Sequence, residues 1–213
     1  MMKKNLLLAF GLVAVAAVLF ASGNKEVIVS STDGFGVGDK ASDFNLINVD
    51  GKKISMSNYE SAKGFIIVFT CNTCPFSKMY EKRIDQLNQK YEPKGFPVLA
   101  INSNDKSKQP GDSYEEMIKR AKDKNYSFPY LYDESQSVVT AYGATRTPHV
   151  YVVSKKSAEL VVSYIGAIDD NHKDANAVSK KYVEDAVDNL LEGKPVKTTF
   201  TKAIGCTIKW KEA

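Results

Sequence analysis

The sequence is poor in the residues that most often bind metals or cross-link small folds: its 213 residues hold three cysteines, two histidines and one tryptophan. Three cysteines cannot build a disulfide framework, and the single C-x-x-C lacks the second paired spacing that a structural zinc site needs. No block of like charge occurs either. Lys and Arg total 29 against 25 Asp and Glu, a formal charge of +4, and the basic residues are spread along the chain. That spread excludes a nucleic-acid footprint. Heptads, internal repeats and low-complexity tracts are absent too, which excludes a coiled coil, a solenoid, a collagen-like rod and a disordered tail.

One long apolar run is present, over 6–21. Lys3 and Lys4 precede it, Ala21-Ser22-Gly23 follows as a small-x-small site, and the chain then turns polar at Asn24-Lys25-Glu26. This pattern predicts a bacterial-type secretory signal peptide over 1–23. The alternative is an uncleaved anchor, but the run falls short of the roughly 18–20 apolar residues that span a bilayer. Contact with a membrane is therefore expected only if the segment is retained. No cysteine follows the run, which argues against a lipoprotein. Cleavage removes two lysines and no acid, leaving 27 basic and 25 acidic residues. The reading is a nearly neutral exported protein, periplasmic in location.

The remainder divides into a polar linker over 24–37, one domain over 38–193 and a C-terminal extension over 194–213. In the domain, 43–46 and 48–54 read as a hairpin turning at Asp50-Gly51. The unbroken apolar run 65–70 and its successor 97–102 suit strands buried on both faces. Between them, Phe76, Tyr80, Ile84, Leu87 and Tyr91 recur at helical spacing over 75–91. A second helix starts at Ser113, where Ser-x-x-Glu has capping-box spacing. A third is expected over 134–142, ending at Gly143, and a last over 176–191. The β-rich runs 149–153 and 160–165 read as an antiparallel hairpin. The expected architecture is α/β, with a mixed central sheet flanked by helices in three layers.

Chemistry concentrates at Thr70-Cys71-Asn72-Thr73-Cys74-Pro75, where the buried strand meets the crossover helix. Cysteines three apart at a helix start share one face and can cycle between dithiol and disulfide. Unpaired N–H groups and the positive end of the helix dipole favour a thiolate there. Cys71 is read as the nucleophile and Cys74 as the resolving thiol, with Lys78, one turn into the helix, as a possible assistant. A zinc half-site would need Cys206, His149 or His172 as further ligands, none in a paired spacing. A purely structural disulfide would close too short a loop to constrain the unfolded chain much. No metal or cofactor is expected.

With these residues in hand, the sequence resembles the thioredoxin superfamily, and its fold is expected to be a thioredoxin-like three-layer sandwich. Phe65 to Pro75 is similar to that superfamily's first central strand and active-site helix, and Thr147-Pro148 to its Thr-cis-Pro. The resemblance implies that Pro148 faces the cysteines and that Thr147 offers backbone hydrogen bonds to a bound peptide. Gly38 to Leu46, Asp50-Gly51-Lys52 and Cys74-Pro75 narrow the likeness to the redoxin (AhpC/TSA, peroxiredoxin-like) branch, with Ser42 where that branch usually has proline. Ala100 to Asp105, Phe128 to Leu131, Ile168 to Asn171 and Ile204 to Trp210 resemble a C-x-x-C-bearing, peroxiredoxin-like subgroup. One departure matters. Peroxiredoxins carry Pro-x-x-x-Thr-x-x-Cys, and alignment on Cys74 puts Ile67 at the proline and Cys71 at the threonine. A peroxide pocket is therefore not expected, although Arg146 could lend positive charge.

Ile204, Cys206, Ile208 and Trp210 alternate with polar or small residues, so an extended tail would set Cys206 on an apolar face. An odd cysteine in an exported protein also raises pairing of Cys206 with Cys71 or Cys74 during turnover. The predicted function is an extracytoplasmic thiol-disulfide oxidoreductase acting on protein thiols and disulfides, recharged by an external electron-donor thiol protein. The alternatives are a peroxiredoxin-like thiol peroxidase and a carrier of copper, to which thiolate and the His149 imidazole are suited.

Overall fold

A computed structural model describes residues 34–157 and 159–212, so the stretch 1–23 read as a signal peptide and most of the linker lie outside the described residues. Its centre is a mixed seven-stranded sheet in the order β2-β1-β5-β4-β3-β7-β8. In chain order these are β1 (Leu46–Asn48), β2 (Lys53–Ile54), β3 (Gly64–Phe69), β4 (Val98–Asn102), β5 (Tyr130–Tyr132), β7 (His149–Lys156) and β8 (Glu159–Gly166). The short β6 (Arg146–Thr147) and β9 (Cys206–Thr207) form a separate ladder. β3, β4 and β5 run parallel, while β7 lies antiparallel on β3 and β8 on β7. Among the described residues the α-helices are α1 (Pro75–Tyr91), α2 (Tyr114–Lys124), α3 (Ser137–Tyr142) and α4 (Tyr182–Leu191).

All six residues of β3 are buried, because both faces of the strand are covered. Ile66 and Val68 point to a core shared with Tyr80, Ile84 and Leu87 of α1, Met117 of α2, and Val183 and Val187 of α4. Phe65, Ile67 and Phe69 point to the opposite core, with Val138, Val139 and Tyr142 of α3 and with Phe44 and Met56. This is the three-layer, thioredoxin-like sandwich expected from the sequence.

Element boundaries moved where side chains claim backbone groups. The hairpin's first strand begins only at Leu46, because the Asp43 carboxylate accepts from the N–H groups of Phe44, Met56 and Ser57 and holds that stretch in a loop. Its turn does fall on Asp50-Gly51, with Gly51 at φ 83°, a conformation glycine adopts without strain. α3 starts three residues late because the Asp133 carboxylate receives the N–H groups of Val138 and Val139. α4 starts at Tyr182 rather than near 176, since Asp170 accepts from the Ser179 N–H and hydroxyl and ties 178–181 down as a loop. Beyond α4, the Ile165 N–H donates to the Thr199 carbonyl and the Ile165 carbonyl accepts from the Thr201 N–H, the chain returns across the sheet, and Ile208 is buried in the second core.

Candidate active site

β3 delivers the chain to Cys71, and α1 begins immediately after Cys74, its N-cap, with Pro75 in the first turn. Proline suits that position because its missing N–H would have been unpaired. Both cysteines are 3% exposed. The loop between them is held by a residue that spacing does not reveal: Asp112, fully buried, 38 positions beyond Cys74 in a polar turn. Its carboxylate accepts from the N–H groups of Asn72 (2.8 Å) and Thr73 (3.0 Å), from the Thr73 hydroxyl (2.9 Å) and from the Asn104 amide (2.7 Å). Asn72 adds a bond to the Gly111 carbonyl and receives one from the Tyr130 hydroxyl. The only hint in the sequence is that polar Asn102 and Asn104 follow so apolar a strand.

The opposite wall is Thr147-Pro148, joined by a cis peptide bond as expected. The Thr147 hydroxyl lies 3.5 Å from Cys71 Sγ, and the Thr147 carbonyl lies 3.0 Å from Cys74 Sγ. β9 runs antiparallel along β6 with Cys206 opposite Thr147, and Cys206 Sγ stands 2.7 Å from Cys74 Sγ. Three free thiols thus meet at one point. The expectation that Cys206 sits among apolar side chains is corrected: of its alternating partners only Ile208 is buried, Ile204 and Trp210 are exposed, and Cys206 turns toward the C-x-x-C.

The Cys74 thiol is pulled down to about 4, first by its hydrogen bond with Cys71, helped by those from Cys206 and the Ser77 N–H, against the opposing effect of burial. Cys71 is pushed up by that same bond, by burial and by the negative charge of Asp112. The two shifts run in opposite directions, and the thiolate is favoured on the sulfur at the helix N-terminus. Cys206 is raised to about 11 by burial and then by the adjacent Cys74.

Lys78 is exposed, lining a groove with Asn72, Thr73 and Lys119. Arg146 contributes its backbone to β6 and its side chain joins no ion pair among the described residues. Burial lowers His149 to about 4, and its Nδ1 accepts from the Thr145 N–H. Among the described residues no group of three His, Cys, Asp or Glu is arranged to hold a metal ion. The His172 ring packs on Phe76, with centroids 4.9 Å apart.

The match that decides the family covers residues 37–182, which fit the AhpC/TSA family model. The chain belongs to the AhpC/TSA family. A protein of solved structure from Geobacillus kaustophilus is 40% identical, with a TM-score of 0.77 over 84% of this chain and 94% of that one. Another from Sinorhizobium meliloti is 33% identical, with a TM-score of 0.77 over 84% and 97%. Among curated relatives, the thiol-disulfide oxidoreductase ResA of Halalkalibacterium halodurans is 25% identical over 131 residues, 62% of this chain and 69% of that protein. Bovine glutathione peroxidase 7 is 31% identical over 104 residues, 48% of this chain and 53% of that protein.

Proposed function

We propose that this AhpC/TSA-family enzyme is an extracytoplasmic thiol-disulfide oxidoreductase whose working pair is Cys71 and Cys74. The observation that carries the reading is the pair itself: two buried sulfurs at a helix N-terminus, both against Thr147 of a cis-proline turn. The ResA relatives support the same chemistry. Attack on a disulfide requires a thiolate and passes through a mixed disulfide. We assign the attack to Cys71, whose Sγ meets only the Thr147 hydroxyl, because Cys74 is flanked by the Thr147 carbonyl and by Cys206. Cys71 then attacks a sulfur of a substrate disulfide brought up to the Thr147-Pro148 turn, and Cys74 displaces the reduced product as the Cys71–Cys74 disulfide forms. A thiol protein outside the chain returns the two electrons. Extracytoplasmic placement is supported by the export-type segment 1–23; among the described residues no helix is long and apolar enough to cross a membrane.

A peroxidase reading draws support from the glutathione peroxidase relative. Stopped-flow oxidation of the reduced protein separates the two. A disulfide-bonded peptide is expected to react far faster than hydrogen peroxide, and only when Cys71 is present; faster peroxide oxidation in wild type, lost in Cys71→Ser, overturns the oxidoreductase reading.

A further inference from the structure

Cys206 is 132 residues from Cys74 in sequence, yet the fold places it in sulfur-to-sulfur contact through a dedicated strand pairing. Resting on the oxidoreductase reading above, we propose that Cys206 is a third exchanging thiol, which takes over the Cys71–Cys74 disulfide by bonding to Cys74 and releasing Cys71.

The contact is built rather than incidental. β9 lies beside β6 in the way an incoming peptide strand adds to an exposed edge, and it fills that edge with a cysteine of this chain opposite Thr147. Gly205 permits the approach: a Cβ there would lie 2.1 Å from the Thr147 carbonyl oxygen, inside any real contact distance. Downstream the tail is pinned. The Lys209 N–H donates to Asn104, its carbonyl accepts from the Asp105 N–H and the Gln136 amide, and the Lys211 N–H donates to Gln136. Ile208 anchors the same stretch in the core. Asn104 also donates to Asp112, so one residue links the Cys206 segment to the carboxylate that holds the C-x-x-C loop.

The step balances within the chain. Cys206 loses its proton and its sulfur attacks Cys74 Sγ; the Cys74–Cys206 bond forms, the Cys71–Cys74 bond breaks, and Cys71 leaves as a thiolate that takes up a proton. No electrons are gained or lost, so one disulfide moves from Cys71–Cys74 to Cys74–Cys206. The resting charges favour this order. In the dithiol state the Cys74 thiolate helps to hold Cys206 protonated; once Cys74 is in a disulfide that charge is gone, and Cys206 ionises more readily. The exchange hands the disulfide to the least buried of the three sulfurs and returns Cys71 to a free thiol.

Disulfide mapping of the full-length protein tests the assignment. Reduced wild type is oxidised with a stoichiometric disulfide-bonded peptide, quenched in acid, alkylated and digested without reductant. The expected map contains the Cys74–Cys206 cross-link beside Cys71–Cys74, with alkyl label on both Cys71 and Cys206. In parallel, Cys71→Ser treated with diamide, a general thiol oxidant, is expected to lose both remaining thiols to one intramolecular Cys74–Cys206 bond. Wild type labelled on Cys206 alone overturns the exchange and leaves the Cys71–Cys74 reading intact. Wild type that keeps all three thiols after peptide treatment overturns both. If Cys71→Ser fails to fold, the wild-type map decides.

Discussion

Asp112 and Cys74 set the character of the site residue by residue. A carboxylate with two oxygens can accept the four donors that converge on Asp112, whereas an asparagine keeps one acceptor oxygen and turns an NH2 toward the rest. Asp112→Asn should therefore lower stability by about 1–3 kcal/mol, the cost of leaving buried donors unmet, read by urea unfolding. It should also let Cys71 ionise more readily, because the Asp112 charge is one of the causes holding that thiol protonated. The pH profile of Cys71 alkylation reads this second effect, which a loss of stability alone does not move. Cys74 yields a pH prediction whose sign is fixed. Its folded pKa, about 4, lies below that of an unfolded cysteine, so the unfolded chain binds more protons between the two values and stability rises with pH across that window. The contribution is complete above the unfolded value and is lost as pH falls through about 4. His149, also held near 4, acts in the same direction below the ordinary histidine range. Only the cysteine effect vanishes in the Cys71–Cys74 disulfide. Thermal scans should thus show the reduced form gaining on the oxidised form as pH rises from about 5 to 8; parallel curves would refute the low Cys74 value.

Among the elements, α1 shows how far periodicity reaches. Its apolar residues fall on one stripe, its start is marked by Pro75, and it spans the stretch read from the sequence. Ile84, 1% exposed against β3 and β4, should cost about 2–5 kcal/mol when cut to alanine, whereas Met79, 49% exposed on the far side, should shift stability by no more than about 0.5 kcal/mol. Equal costs in urea unfolding would mean that α1 packs differently. The elements misplaced in the sequence reading share one cause. At Asp43, Asp133 and Asp170 a carboxylate captures backbone N–H groups that a strand or helix would have used, and the partners lie up to 14 residues away. Hydrophobic spacing registers side chains facing a core and is blind to which polar group claims a backbone donor. The C-x-x-C and Thr147-Pro148 were legible because their residue types are local and particular. Asp112 was not, since an aspartate in a polar turn reads like any other.

In the whole molecule, the site closes only when the end of the chain returns to it. No local pattern in 204–210 indicates that β9 will pair with β6, because the pairing is fixed by Ile208 entering one core and by Lys209 and Lys211 bonding to Asn104 and Gln136. The joint is Gly205, packed on the Thr147 backbone. Gly205→Ala forces a methyl group against the Thr147 carbonyl, and backbone cannot swing aside as a side chain would. β9 should therefore separate from β6, at a cost of about 1–3 kcal/mol typical of overpacking. The consequence peculiar to this site is at sulfur: Cys206 withdraws from Cys74, which loses one of the hydrogen bonds lowering its pKa and becomes less shielded. The pH midpoint of Cys74 alkylation should move upward, and the plateau rate above that midpoint should increase, while Cys206 reacts independently of Cys74. A Gly205→Ala protein with an unchanged midpoint and an unchanged plateau would show that the strand pairing does not govern the thiols, and the Cys206 segment would then be reduced to packing.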